Sequence, residues 1–556
     1  MVDNVNKKVK LRYDRIIIFL VIILVVIVAL SFGIKAIFNA LNPETQNMYL
    51  ASTESKIILY DETQNKVAEK IRGTEIIVYS NTLEDELVKI KIDKDLYYVF
   101  KENLVENYND CILEKNVYVR TPIVLKSSET TITNFAPKSA KLEVIGFDDL
   151  DETGEVLNYK VKYNDKEGLI ANEYVVASLE ESQKNYDEEG TYLIHSKRTS
   201  TSGGDAKDLD FYPREKGNFT SNVMPEKVSS LYLNGTAINN VDKYLDLAKN
   251  SNVNAFVVDI KDSVLSYESK IAEKLSPTSY KNAISSISEY RDNINKIKEA
   301  GYYVIGRISV FKDYSYALDN PDQAITTKRG ELYKHNGSYW PSAFSTSVWQ
   351  YNVELALEAV ELFGFNEIQF DYVRFPDGTT SLENDGIIDM KNEHKISKIQ
   401  AIQTFLIYAT DILHEKEVYV SADVFGESAH SYINSYGQYW GAISNVVDVI
   451  SAMPYPDHFN IHQYGISEVV WTNPYKLLYT WCNDYAMKRQ AEVPTPAIMR
   501  TWIQAYNTTK TPAVAYNSDM ISKQIKALED ANSLGGYMTW NSASSLSKYK
   551  EIIGAL

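Results

Sequence analysis

The sequence predicts an α/β protein: a C-terminal (β/α)8 TIM barrel preceded by small all-β domains and an N-terminal transmembrane helix. Three observations carry that expectation. After residue 225, eight short apolar runs alternate with helical stretches. Residues 50–177 instead alternate with period two, as half-buried strands do. Near the N-terminus lies an apolar run without a single charge.

That run, IIIFLVIILVVIVALSFGI, spans 19 residues from Ile16 to Ile34. At about 1.5 Å per residue it nearly crosses a hydrocarbon core of about 30 Å. Lys7, Lys8, Lys10, Arg12 and Arg15 precede it, and Lys35 alone follows closely. Positive charge stays in the cytoplasm, so residues 1–15 read as a cytoplasmic tail and 16–34 as a single-pass anchor in the cell membrane. The C-terminal bulk is then extracellular. A cleaved signal peptide is the rival, but the run is long for one and no clean small-x-small site follows.

Composition is that of a globular chain, with 44% hydrophobic and 24% charged residues in 556. The net charge of −17 offers no basic field for phosphates and argues against nucleic acid as a partner. Only Cys111 and Cys482 occur, with no Cys/His spacing that suggests zinc. No glycine-rich phosphate motif appears, so no organic cofactor is expected, and no loop has calcium-hand spacing.

Within the β-rich region, KIKIDKDLYYVFKENLV (Lys89–Val105) aligns without gaps on KVKYNDKEGLIANEYVV (Lys160–Val176). Lys89/Lys160, Lys91/Lys162, Glu102/Glu173 and Val105/Val176 are identical, and the period-two pattern agrees. Two small β-barrels follow, at 50–112 and 113–178. The second, with VYVRTPIVLKS and GLIANEYV, resembles the bacterial SH3-like domain, which implies a wall-peptide binder or a spacer. Residues 179–224 turn polar and read as a linker.

The barrel strands expected over 225–556 are 228–234, 254–260, 302–310, 367–375, 418–425, 447–455, 496–504 and 535–540. Gly301 and Gly364 stand just before two of them, where a helix C-terminus favours glycine. Catalytic groups in such barrels collect at the C-terminal strand ends. Reading those exits yields Asp259 and Lys261 on strand 2, Arg307 on strand 3, and Asp371, Tyr372 and Arg374 on strand 4. Strand 5 offers Asp423 and Glu427, strand 6 Tyr455 and His458, strand 7 Arg500 and Trp502, and strand 8 Trp540. Asp371, Asp423 and Glu427 are the candidate catalytic carboxylates; the remainder are candidate substrate contacts.

Paired carboxylates across a pocket suit glycoside cleavage. One stabilises or attacks an oxocarbenium-like carbon and the other protonates the leaving oxygen. Trp502, Trp540, Tyr455 and Trp340 offer faces for sugar rings. A lone histidine without a nucleophilic Ser or Cys makes a poor triad.

NAFVVDIKD, EIQFDYVRFP, SADVFGES and YPDHF together resemble a glycosyl hydrolase domain family common in low-GC bacteria, over roughly residues 225–556. Its members are often membrane-anchored, and it is similar to α-amylase-type barrels. The resemblance implies Asp371 as nucleophile and Asp423 or Glu427 as acid. Unlike the amylase pattern, an arginine follows Asp371 rather than preceding it, and Arg500 stands on strand 7 where a third carboxylate is usual. The expected function is therefore an anchored glycoside hydrolase acting on a cell-wall or exopolysaccharide glycan. Two alternatives remain open: a non-catalytic glycan-binding envelope protein, and a metal-dependent polysaccharide deacetylase-like hydrolase.

Overall fold

A computed structural model describes residues 13–41 and 44–556. The basic cluster at Lys7, Lys8, Lys10 and Arg12 lies outside the described residues. A helix, Tyr13–Leu41, carries the apolar run. Its segment Arg15–Lys35 is 21 residues long, has a mean hydropathy of 3.4 and buries nothing, so it is long and apolar enough to cross a membrane.

The β-rich region forms two seven-stranded antiparallel sheets. The first runs from Thr45 to Val105 and the second from Asn116 to Val176. Numbered by sequence within each sheet, the strands lie in the same spatial order, 3-2-6-5-4-1-7. The two aligned segments supply strands 5, 6 and 7 of each, with a 3-10 turn (Lys101–Asn103, Asn172–Tyr174) before the last. The weak repeat in sequence is thus a repeat in topology. Leu50, Leu59, Val78, Val88, Ile90 and Val99 fill the core of the first sheet, all fully buried. They sit at alternate positions because a strand turns every second side chain inward.

The C-terminal region is a closed parallel barrel. Its strands are Val228–Leu233, Ala255–Lys261, Tyr303–Ser309, Glu367–Asp371, Tyr419–Phe425, Val449–Met453, the split pair Ile498–Met499 and Thr501–Gln504, and Gly536–Trp540. They are called barrel strands 1 to 8 below. Strand 8 pairs with strand 1 and with Thr501–Gln504, while Ile498–Met499 pairs with strand 6, so the split strand closes the ring at Arg500. Val and Ile are the commonest residues in the strands because both faces are covered, one by barrel filling and one by helices. The helices start as the sequence dictates. Ser286, Ser345 and Ser397 cap Ile287–Glu299, Thr346–Phe363 and Lys398–His414, each accepting a backbone N–H of the first turn. Gly364 ends the second of them at φ +65°, the left-handed geometry that glycine adopts without strain.

Residues 179–224 depart from the expected linker. Two short helices, Leu179–Gln183 and Thr191–Ser196, lead into a strap held on the barrel. Ala206, Leu209 and Phe211 share a buried cluster with Ile399, Ile433, Tyr439 and Ala442. Lys216 Nζ donates to the carbonyls of Ser444, Asn445 and Val447 at 2.8–3.0 Å. A few apolar anchors in a polar stretch suffice to order it.

Candidate functional site

Barrel strand 4, EIQFD, builds the site from the inside outward. Ile368 and Phe370 face the helices, with the Phe370 ring centroid 5.3 Å from that of Phe405 on Lys398–His414. Glu367, Gln369 and Asp371 face the barrel interior at three heights. At the bottom, Arg500 Nη1 donates to both Glu367 oxygens at 2.8 Å, and both residues are fully buried. In the middle, Gln369 Nε2 reaches Ser451 Oγ at 3.3 Å. At the top, Asp371 Oδ2 accepts from Arg307 Nη2 at 2.5 Å and from Nε at 3.1 Å.

Arg307 organises the mouth. Besides Asp371 it donates to Asp259 Oδ1 at 2.7 Å and to Asp262 Oδ1 at 3.2 Å, and its Nε lies 3.9 Å from Asp423 Oδ2. One guanidinium faces four carboxyl groups, so it cannot neutralise them all. Burial pushes the Asp259 carboxyl up to about 6, although Arg307 works against it. Burial and the negative charge of Asp371 push Asp423 well above the ordinary carboxylate range. Asp262 stays below that range, since Arg307 and Ser263 outweigh its burial. Tyr232 donates to Asp259 Oδ2 at 2.5 Å, and Trp502 Nε1 donates to Asp423 Oδ1 at 2.7 Å.

Asp371 opens onto a cavity of about 200 Å³. Arg307, Tyr372, Arg374, Tyr455, His458 and Trp540, all named from the sequence, line it as well. Arg374 arrives there by a route that simple alternation misses. Strand 4 ends at Asp371, not at Phe375, and Tyr372 adopts φ +53°. A non-glycine residue in that region costs about 1–3 kcal/mol and redirects the chain. The Arg374 guanidinium then lies 4.6 Å from the Phe425 ring centroid and 5.1 Å from that of Trp340. The Asp371 Oδ1 oxygen accepts the Tyr372 backbone N–H at 2.5 Å, tying the carboxylate to the turn.

Of the candidate site residues, Lys261, Arg500, Trp502, Asp259, Asp423 and Glu427 lie outside this cavity. Lys261 is buried and turned to the helices, where Nζ binds Asp313 Oδ2 at 2.6 Å and Asn352 Oδ1 at 2.9 Å. A register shift between Asp259 and Lys261 reverses its side. Arg500 lies at the foot of the barrel with Glu367, because it starts rather than ends the inward row of strand 7. Trp502 is buried above it, packed edge-on to Trp540 with ring centroids 5.5 Å apart, so it offers no face to a sugar. Asp259 and Asp423 are enclosed behind Arg307; Asp423 is fully buried and its Oδ2 has no hydrogen-bond partner among the described residues. Asp259 therefore contacts Arg307 and Tyr232 rather than open space.

Glu427 borders a neighbouring cavity of about 480 Å³. Tyr432 donates to its Oε1 at 2.5 Å, and the Tyr436 hydroxyl to its Oε2. Phe425, Met453 and His458 line both cavities, so the two adjoin. Gln438 is a lining residue that strand-exit reading misses. It comes from a loop, accepts the Phe425 N–H at 2.9 Å and donates to the Asp423 carbonyl at 3.1 Å. Tyr232 was legible only as an inward position on strand 1.

Solved structures similar to parts of this chain include a hypothetical protein from Ruminiclostridium thermocellum (31% identity, 35% of this chain and 97% of that one, TM-score 0.30). Another is the PgaB (BpsB) glycoside hydrolase domain from Bordetella bronchiseptica (11% identity, 60% and 100%, TM-score 0.41). A third is the beta-N-acetylhexosaminidase from Bacteroides fragilis (12% identity, 59% and 66%, TM-score 0.38). No curated protein matches the chain. A family model described as "Putative glycosyl hydrolase domain" matches residues 230–546, more than half of the chain, and the protein belongs to that glycosyl hydrolase family.

Proposed function

We propose that the protein is a membrane-anchored, extracytoplasmic glycoside hydrolase that cleaves a cell-wall or exopolysaccharide glycan. The observation that carries this reading is Asp371: a carboxylate at the C-terminal end of a barrel strand, clamped by Arg307, that opens onto an aromatic-walled cavity. Its place suits the group that acts at the anomeric carbon, stabilising or attacking the positive charge that develops there. Glu427 borders open space on the adjoining side and takes the part of proton donor to the leaving oxygen. Asp423 is sealed behind Arg307 and bonded by Trp502, so it supports the mouth from within and does not touch the sugar. Tyr372, Arg374, Tyr455, His458 and Trp540 hold the sugar.

The apolar helix supports the anchor, with the basic tail inside and the barrel outside. The two repeated sheets are read as SH3-like modules that space the barrel or hold wall peptides.

The test is release of reducing ends from a panel of bacterial wall glycans and exopolysaccharides by the wild type and by Asp371→Asn. We expect the variant to lose at least about 10²-fold in rate, as removing a preorganised group at a developing charge does. If wild type and variant both bind a glycan and neither cleaves it, the protein is a glycan-binding envelope component instead.

A further inference from the structure

Three cavities lie in a row across the barrel mouth. The central one, about 200 Å³, holds Asp371. On one side it meets the 480 Å³ cavity through Phe425, Met453 and His458. On the other side it meets a shallow 50 Å³ recess through Tyr372, which lines both. Asp371 therefore lines a cavity with a neighbour on each side, one sharing Phe425, Met453 and His458 with it and the other sharing Tyr372.

Both flanks carry the chemistry that holds saccharides: aromatic surfaces beside hydroxyl, amide and charged groups. In the small recess, Tyr314 is half turned to solvent and stacks on Tyr339, with ring centroids 4.9 Å apart and planes at 22°. Lys312 Nζ lies 4.7 Å from the Tyr372 ring centroid and 3.3 Å from its hydroxyl, between the recess and the centre. On the large side, His430 approaches the Tyr464 hydroxyl at 3.0 Å, and burial holds its imidazole below the usual range and so neutral. Asn460 and Gln463 add amides to the lining of that cavity, and Glu427 is fixed by its two tyrosines.

We infer that the protein is an endo-acting enzyme, with saccharide-binding compartments on both sides of Asp371, that cuts glycan chains internally and not from their ends. This inference rests on the hydrolase reading above and goes beyond it. In the step implied, the C1–O bond of an interior linkage breaks. Water supplies a hydroxyl to C1, which becomes a new reducing end, and a proton to the departing oxygen. An end-acting enzyme needs one compartment closed by a wall; here a further cavity adjoins the central one at Tyr372 and another at Phe425.

The experiment has two arms. In the first, Asp371→Asn, and the same protein carrying Tyr314→Ala or Asn460→Ala, are titrated on an array of bacterial wall-glycan and exopolysaccharide fragments of two to eight sugars. We expect affinity to rise about tenfold or more between two and four sugars. Each flank variant should lose most of that gain for long fragments and leave disaccharide affinity unchanged; both replaced residues are exposed, so folding is preserved. In the second arm, wild-type products are sized: a ladder of intermediate lengths is expected from the first turnovers. No binding, affinity that saturates at a disaccharide, sensitivity on one flank alone, or products of a single small size would each overturn the groove. Length-dependent binding sensitive on both flanks without any cleavage upholds the groove and removes the hydrolase reading, so the two failures are separable.

Discussion

Arg307 binds three aspartates and approaches a fourth, and this ratio fixes the acid–base behaviour of the barrel mouth. Asp259 titrates near 3.8 when exposed and near 6 in the fold. Between those values the folded chain holds a proton that the unfolded chain has released, so stability falls as pH rises across that window. Asp259→Asn removes this contribution. Unfolding free energy measured from pH 4 to 6 should therefore decline less steeply in the variant than in the wild type; identical slopes would exclude Asp259 as the titrating group. Asp371 was legible in the sequence because a carboxylate in a buried apolar strand has few places to go. Lys261 was misplaced because a bulge is a property of strand pairing, which one strand's own residues do not reveal. Arg374 lines the cavity, but by a route that strand alternation does not give, since the positive φ of Tyr372 redirected it.

At the scale of elements, the barrel closes at a strand broken at Arg500. The side chain of that residue is fully buried against Glu367, three strands away around the ring. Replacing it with leucine leaves a buried carboxylate without its cation, held only by the Tyr303 hydroxyl, and we expect a loss of about 3–5 kcal/mol in urea unfolding. The double variant with Glu367→Met should recover much of it, since removing both charges lifts the desolvation penalty. A second weak point is Gly536, at φ +93° at the start of strand 8, where a Cβ would stand 1.9 Å from the Val228 carbonyl oxygen. Gly536→Ala should lower the unfolding free energy by more than the roughly 1–3 kcal/mol typical of backbone strain alone, because the backbone of strand 1 must also move. All eight strands were readable from their apolar runs, and most ends fell within two residues; the end of strand 4 was not readable, since it is set by the turn at Tyr372. The strap over 200–222 was unreadable by composition: Leu209 and Phe211 are two apolar residues in a polar stretch, and only their barrel partners give them a place.

For the whole molecule, the N-terminal helix predicts partition. Deleting residues 1–43 should move the protein from the membrane fraction to the soluble fraction with glycan cleavage intact; retention in the membrane fraction would contradict anchoring by this helix. The repeat of two sheets was visible from four identities only because the period-two pattern agreed with them. The identical strand order shows why so few identities suffice: a small sheet is specified by which positions are apolar more than by which residue fills them.

The central claim is that Asp371 acts at the anomeric carbon while Glu427 serves the departing oxygen. A nitrophenyl leaving group needs no proton, so it separates the two parts. On nitrophenyl glycosides of the cleaved sugar, Glu427→Gln should approach the wild-type kcat/KM, whereas Asp371→Asn should stay at least about 10²-fold below it. Near-wild-type cleavage of the activated glycoside by Asp371→Asn would contradict the account.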